Sequence, residues 1–138
     1  MSTIKKIQKE IIADFEMFDD WIQKYEYLID LGKDLAPINE KNKTEENLIK
    51  GCQSRVWLHA EYTDGKIIFT ADSDAIMTKG IVAMLINVLS NQDPKDVATA
   101  KLNFIKKIGL TEQLSPTRAN GLVSMIKKMK LYAIAFNN

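Results

Sequence analysis

Two runs of alternating apolar and polar residues, 55 to 62 and 66 to 71, meet at Asp64-Gly65. An Asp-Gly pair between such runs is a strong signal for a two-residue turn, because both positions tolerate positive φ. The chain therefore contains an antiparallel hairpin. Val56, Leu58, Ala60 and Tyr62 share one face of it, and Ile67 and Phe69 line the partner strand. Two strands alone are marginal. A further strand or a layer of helices must complete the unit.

Helical periodicity surrounds the hairpin. Ile4, Ile7, Ile11, Phe15 and Phe18 recur at helical spacing over residues 3 to 18. Asp19 or Asp20 caps a second helix with Trp21, Tyr25, Leu28 and Ile29 on its apolar stripe, and Gly32 is expected to end it. These two helices are expected to form an antiparallel hairpin. Residues 33 to 54 read as irregular and polar, with one short turn of helix starting at Thr44. A stretch of that length without regular structure is often functional. Beyond the strands, Ser73 or Asp74 is the expected cap of a helix over 74 to 91, apolar enough through Ile76, Ile81, Met84, Leu85, Val88 and Leu89 to be central. Asp93-Pro94 starts a short helix, residues 101 to 109 continue helically to Gly109, and Ser115-Pro116 opens a last helix with Leu122, Met125, Ile126 and Met129 facing the core. Helices, a hairpin, then helices is an α+β order, a small antiparallel β-sheet packed against several helices. No repeat, linker or low-complexity tract divides it, so residues 1 to 138 are expected to form a single domain.

Charge and composition exclude several classes. Lys+Arg number 19 and Asp+Glu 18, a net charge of +1, which gives no electrostatic footprint for nucleic acid or an anionic membrane. No run of about 18 apolar residues is present. The charged N-terminal stretch lacks the apolar core of a signal peptide. One cysteine cannot close an internal disulfide. A cytoplasmic location is expected.

That cysteine, Cys52, is the main candidate for chemistry. A lone cysteine is often a small buried hydrophobe. Here Gly51 precedes it and Gln53-Ser54 follow, flanks that suit a loop open to another backbone. A thiol of ordinary pKa is only about 3% thiolate at pH 7. His59, the only histidine, is the sole partner for a Cys–His hydrolase, but it falls mid-strand and reads as a strand-surface residue. One cysteine and one histidine cannot build a tetrahedral metal site or hold an iron–sulfur cluster. In the acidic turn 72 to 74, Asp74 is a candidate N-cap. Arg118 falls in the first turn of the last helix, where the dipole disfavours a cation, so it answers another need such as an ion pair or a partner carboxylate. Lys79-Gly80 lacks the glycine-rich lead of a phosphate loop. Trp57 is expected in the core.

Three blocks together, GCQSRVW at 51 to 57, DSDAIMTKG at 72 to 80 and LSPTRANGL at 114 to 122, resemble the SufE family over nearly the whole chain. Arg55 stands where that family commonly has glutamine, while Gln53 and Ser54 separate the chain from the related CsdE group. The resemblance implies a SufE/IscU-like fold and a sulfur-carrier role. Cys52 would take the outer sulfur from a persulfide on a SufS-like cysteine desulfurase. It would stimulate that enzyme and deliver sulfur to a SufBCD-like scaffold for iron–sulfur cluster assembly. The protein would then be an accessory sulfur-transfer protein rather than a stand-alone enzyme. It would have no cofactor, the pyridoxal phosphate belonging to the desulfurase. Gly51, Gln53 and Ser54 would shape the loop, Asp74 and Arg118 would help position the partner, and the chain would be a monomer or homodimer. The rival readings are a CsdE-like acceptor in another desulfurase pathway, a hydrolase using Cys52 and His59, and an interaction domain with a structural cysteine.

Overall fold

A helix that is apolar on nearly every side is stable only inside a protein. Ile76–Leu89 (α3, counting helices in chain order) meets that condition. The computed structural model describes residues 3–49 and 54–137. In it α3 is the central element, with Gly80 to Leu85, Val88 and Leu89 all buried. Thr3–Glu16 (α1) and Trp21–Lys33 (α2) precede the hairpin of Val56–Thr63 (β1) and Lys66–Ser73 (β2). After α3 come Pro94–Thr99 (α4), Phe104–Lys107 (α5), Leu110–Gln113 (α6) and the long Pro116–Phe136 (α7). The α+β expectation holds: two antiparallel strands and several helices.

Asp64 and Gly65 have φ of 52° and 80°, as a type I′ turn requires. The register pairs Val56 with Ser73, Leu58 with Ala71, Ala60 with Phe69 and Tyr62 with Ile67, so the expected apolar faces meet. No third strand forms among the described residues; helices and isolated bridges complete the hairpin. The outer edge of β2 is closed by the end of α3. The Ile67 amide donates to Gln92 O at 2.9 Å, and Ser90 Oγ accepts the Phe69 amide at 2.9 Å. At the start of β1, the irregular stretch supplies a bridge between Leu48 and Trp57, and the Ile49 amide donates to Val56 O at 2.8 Å. That stretch also holds two 3-10 turns, Glu40–Asn42 and Glu45–Asn47, the second following Thr44 as expected.

Several expectations are corrected. Gly32 does not end α2, which runs to Lys33 with Asp34 as its C-cap. Its role is packing: α2 and α3 cross where Gly32 faces Gly80, and a Cβ on Gly32 would lie 2.9 Å from the Gly80 amide nitrogen. The principal partner of α2 is therefore α3 rather than α1. The first two helices meet mainly at their junction, where Tyr27 stacks edge-on to Phe15 at 5.3 Å and donates to Asp14 Oδ2 at 2.8 Å. Burial there, aided by Asp14, pushes the Tyr27 hydroxyl up to about 12. Asp20, whose side chain accepts the Gln23 amide, is the cap of α2.

Residues 101 to 109 are helical only over α5. The break has a cause that periodicity does not show. Lys101 O accepts from Gln8 Nε2, Phe104 N donates to Gln8 Oε1, and Ala100 O accepts from Lys130 Nζ at 2.6 Å. Buried Gln8 of α1 and Lys130 of α7 thus replace helical partners. Gly109, at φ 75°, stops α5 as expected. Trp57 is only half-buried, on the outer face of the hairpin, with the Lys43 ammonium 5.4 Å from its ring centre. Ile76 is 68% exposed at the start of α3.

Replacing Gly80 by alanine drives a methyl group into the Leu28 carbonyl of α2. The expected outcome is a loss of about 2–3 kcal/mol in urea unfolding, as for overpacked cores.

Candidate functional site

Cys52, Gly51 and Gln53 lie outside the described residues, so the site is built from what surrounds them. Both flanks are tied down. On one side Ile49 is held by its bond to Val56 O. On the other, the Arg55 amide donates to Asp74 Oδ1 at 3.0 Å, and the Asp74 amide donates back to Arg55 O at 3.2 Å. Asp74 is therefore not the cap of α3, whose N-cap is Ala75 with no side-chain bond. Its carboxylate serves the chain just after the cysteine. Ser73 Oγ accepts the Ala75 amide at 3.3 Å.

Ser54 is brought to the first turn of α3, with its hydroxyl 3.4 Å from that of Thr78. Beneath them lies a cavity of about 30 Å³, walled by Val56, Ile81, Val82, Leu85, Leu122 and Met125. Arg118 joins Ser54 and Thr78 at this cavity. Its amide donates to Ser115 Oγ, which caps α7. Its Nε is buried with no hydrogen-bond partner among the described residues. A cation in the first turn of a helix opposes the dipole, and here it is held beside the loop's exit. Of the described site candidates, Ser54 and Arg118 share one cavity, and Asp74 flanks it through Arg55.

A second tie lay beyond the sequence argument. Asp72 at the end of β2 takes Lys43 Nζ at 3.0 Å and Lys79 Nζ at 3.4 Å. It joins the irregular stretch, the hairpin and α3 beside Asp74. Burial acts to raise the Asp72 pKa, but the hydrogen bond from Lys43, the Ser73 amide and the charge of Lys79 outweigh it and hold the carboxyl below its ordinary value. The Asp72 bond likewise raises the Lys43 pKa. The only hint in sequence was that Asp72 and Lys79 are seven residues apart with a strand end and a helix start between them. His59 is a strand-surface residue, as expected. Its Nε2 is 3.2 Å from Glu61 Oε1 on the outer face, and it does not line the cavity beside Ser54.

Two outcomes follow from these ties. A carboxyl with a depressed folded pKa contributes stability above its unfolded pKa and loses it as pH falls. Wild-type stability should therefore fall below about pH 4, and Asp72→Asn should flatten that acid limb in denaturation curves measured from pH 3 to 7. Asp74→Ala should increase hydrogen exchange at the Arg55 amide, while amides in β2 and the middle of α3 keep their protection.

Comparison with known proteins gives this site its context. A family model described as SufE, Fe-S metabolism associated domain, matches residues 9–133. An uncharacterized SufE-like protein from Synechocystis is 39% identical over 127 residues, 92% of this chain and 80% of that protein. An uncharacterized SufE-like protein from Rhizobium meliloti is 40% identical over 126 residues, 88% of this chain and 90% of that one. The chloroplastic/mitochondrial SufE-like protein 1 of Arabidopsis thaliana is 36% identical over 91% of this chain, which spans only 34% of that longer protein. A hypothetical protein from Thermus thermophilus, known from its solution structure, shares the fold with a TM-score of 0.78 at 19% identity, covering 94% of both chains. The match extends over nearly all the elements described above, and the chain belongs to the SufE family, a family associated with iron–sulfur metabolism.

Proposed function

We propose that this protein is a sulfur acceptor and carrier, taking persulfide sulfur from a SufS-like cysteine desulfurase onto Cys52. The observation that carries this reading is a solitary cysteine, within the family match, between flanks that are fixed on both sides. The Cys52 thiolate attacks the outer sulfur of the desulfurase persulfide. A new S–S bond forms, the old S–S bond breaks, and the desulfurase cysteine leaves as thiolate, so no external oxidant or reductant is needed. The chain has no second cysteine to attack the product internally.

Removing sulfur from the desulfurase speeds its turnover, which makes the protein an activator rather than a stand-alone enzyme. Pyridoxal phosphate belongs to the partner. The persulfide is then passed to a SufBCD-like scaffold for cluster assembly. The exchange requires a reduced thiol, which favours the cytoplasm. Ser54 and Arg118, at one cavity, and Asp74, through Arg55, shape the exit of the loop and the surface offered to the partner.

Incubation with the desulfurase and L-cysteine should add about 32 Da per sulfur to the Cys52 peptide in intact and peptide mass spectra, as expected for transfer of a sulfur atom. Cys52→Ser should abolish both the mass gain and the stimulation while leaving the melting curve unchanged. Full stimulation by that variant overturns the proposal.

A further inference from the structure

The outer face of α7 is not accounted for by the fold or by the cavity. Across its 21 residues α7 contains no carboxylate and four cations, Arg118, Lys127, Lys128 and Lys130. The chain as a whole is nearly neutral at +1, so this helix is a local excess of positive charge. Two of the lysines are engaged by the protein itself. Lys130 Nζ is bonded to Ala100 O, and Lys128 Nζ lies 5.5 Å from the Tyr132 ring centre. Lys127 makes no ion pair among the described residues and is exposed.

Around Lys127 stand three aliphatic side chains that a solvated helix face does not need. Val123 is 64% exposed, Leu131 53% and Ile134 51%. At about 100° per residue, Val123, Ile134, Lys127 and Leu131 fall within an arc of about 80°, opposite the buried row of Leu122, Met125, Met129 and Ala133. The stripe is about 16 Å long at the helical rise. It begins at Val123, one residue from Leu122 and two from Gly121, which both line the cavity beside Ser54.

We infer that this stripe is a docking surface for an amphipathic segment that sets a carboxylate among aliphatic side chains, on the desulfurase that hands sulfur to Cys52. The inference rests on the sulfur-acceptor reading for the identity of the partner. The charge pattern excludes the other occupants. A second copy would set Lys127 and its neighbouring cations against their own images, and like charges in a desolvated contact oppose association. A membrane surface suits a helix whose cations rim an apolar face, whereas here the unengaged lysine stands within that face and would be buried by insertion. A carboxylate flanked by aliphatics matches both the charge and the two apolar margins. The stripe runs along α7 away from the cavity at Ser54, so a partner held on it leaves that end of the molecule uncovered.

The test is calorimetric titration of the same organism's cysteine desulfurase with wild type, Lys127→Glu, Lys127→Arg and Leu131→Ser/Ile134→Ser, without L-cysteine. All three positions are surface sites, and melting curves check the fold. Lys127→Glu and the double variant should each weaken binding about tenfold, as for a contact in an interface core, with Lys127→Arg near wild type. Wild-type affinity should fall with added salt. At saturating concentrations, Lys127→Glu should still load sulfur on Cys52. Unchanged affinity in both disruptive variants overturns the inference while leaving the sulfur-acceptor reading intact if Cys52 still gains mass. Absence of any complex overturns the docking surface, and absence of the mass gain separately overturns the acceptor reading. Binding of wild type to anionic phosphatidylglycerol vesicles that is lost in Lys127→Glu assigns the face to a membrane and also overturns it.

Discussion

The close crossing of α2 and α3 at Gly32 and Gly80 sets the position of everything else at the site. With no side chain on either residue, the two backbones approach until a Cβ on Gly32 would meet the Gly80 amide nitrogen and one on Gly80 would meet the Leu28 carbonyl. Helices usually pack 8–10 Å apart, with the distance set by the residues at the contact. Here the contact is made by hydrogen atoms. The residue before Gly80 is Lys79, which reaches Asp72, and the one before that is Thr78, which meets Ser54. The first turn of α3 is thus fixed in depth by a packing constraint and uses that fixity to hold the exit of the cysteine segment. A packing glycine and the site's polar ties are consecutive residues on one helix.

Much of this fold was legible in sequence because local chemistry and global architecture agree. Asp64-Gly65 adopts the two positive φ values that its turn requires, and period-2 alternation placed the right residues on the inner face of the hairpin. Asp20, Asp93 and Ser115 cap α2, α4 and α7 through their side chains. Errors arose where a polar residue serves a distant segment. Gln8 lies on the buried row of α1 with Ile4, Ile11 and Phe15, a polar residue among apolar ones, and its amide is satisfied there by Lys101 and Phe104, 93 and 96 residues away. No periodicity argument finds such a bond, and its consequence, the break between α4 and α5, was missed with it. Gly32 looked like a helix end because glycine commonly ends helices. Its actual reason, another backbone at contact distance, is a tertiary fact.

The site divides in the same way. The cysteine, its polar flanks and the unusual place of Arg118 were readable from one-dimensional rules. The cap reading of Asp74 rests on a helix that starts right after it, where an aspartate ordinarily caps; α3 starts at Ile76, which leaves Asp74 one residue too early. In the fold, the antiparallel pairing of Arg55 with Asp74 continues the hairpin ladder by one more pair, and the carboxylate completes it by taking the Arg55 amide. That contact is set by strand register, which the turn at Asp64-Gly65 determines from nine residues away. Lys43 reaches Asp72 for a similar reason. The irregular stretch pairs with β1 at Leu48 and Ile49 and so brings its own lysine over the Trp57 ring.

These ties bear on how sulfur exchange would proceed. Attack on a disulfide-like bond is in line, so the incoming thiolate, the transferred sulfur and the leaving sulfur must be brought near one axis. Holding reactants in such a geometry lowers the entropic part of the barrier. Ile49 and Arg55, on either side of the cysteine, are anchored to Val56 and to Asp74. The long stretch before Ile49 is not free either, being fastened at Lys43 and at the two 3-10 turns. Sulfur exchange at Cys52, as proposed, would therefore start from flanks that the hairpin and α3 already hold.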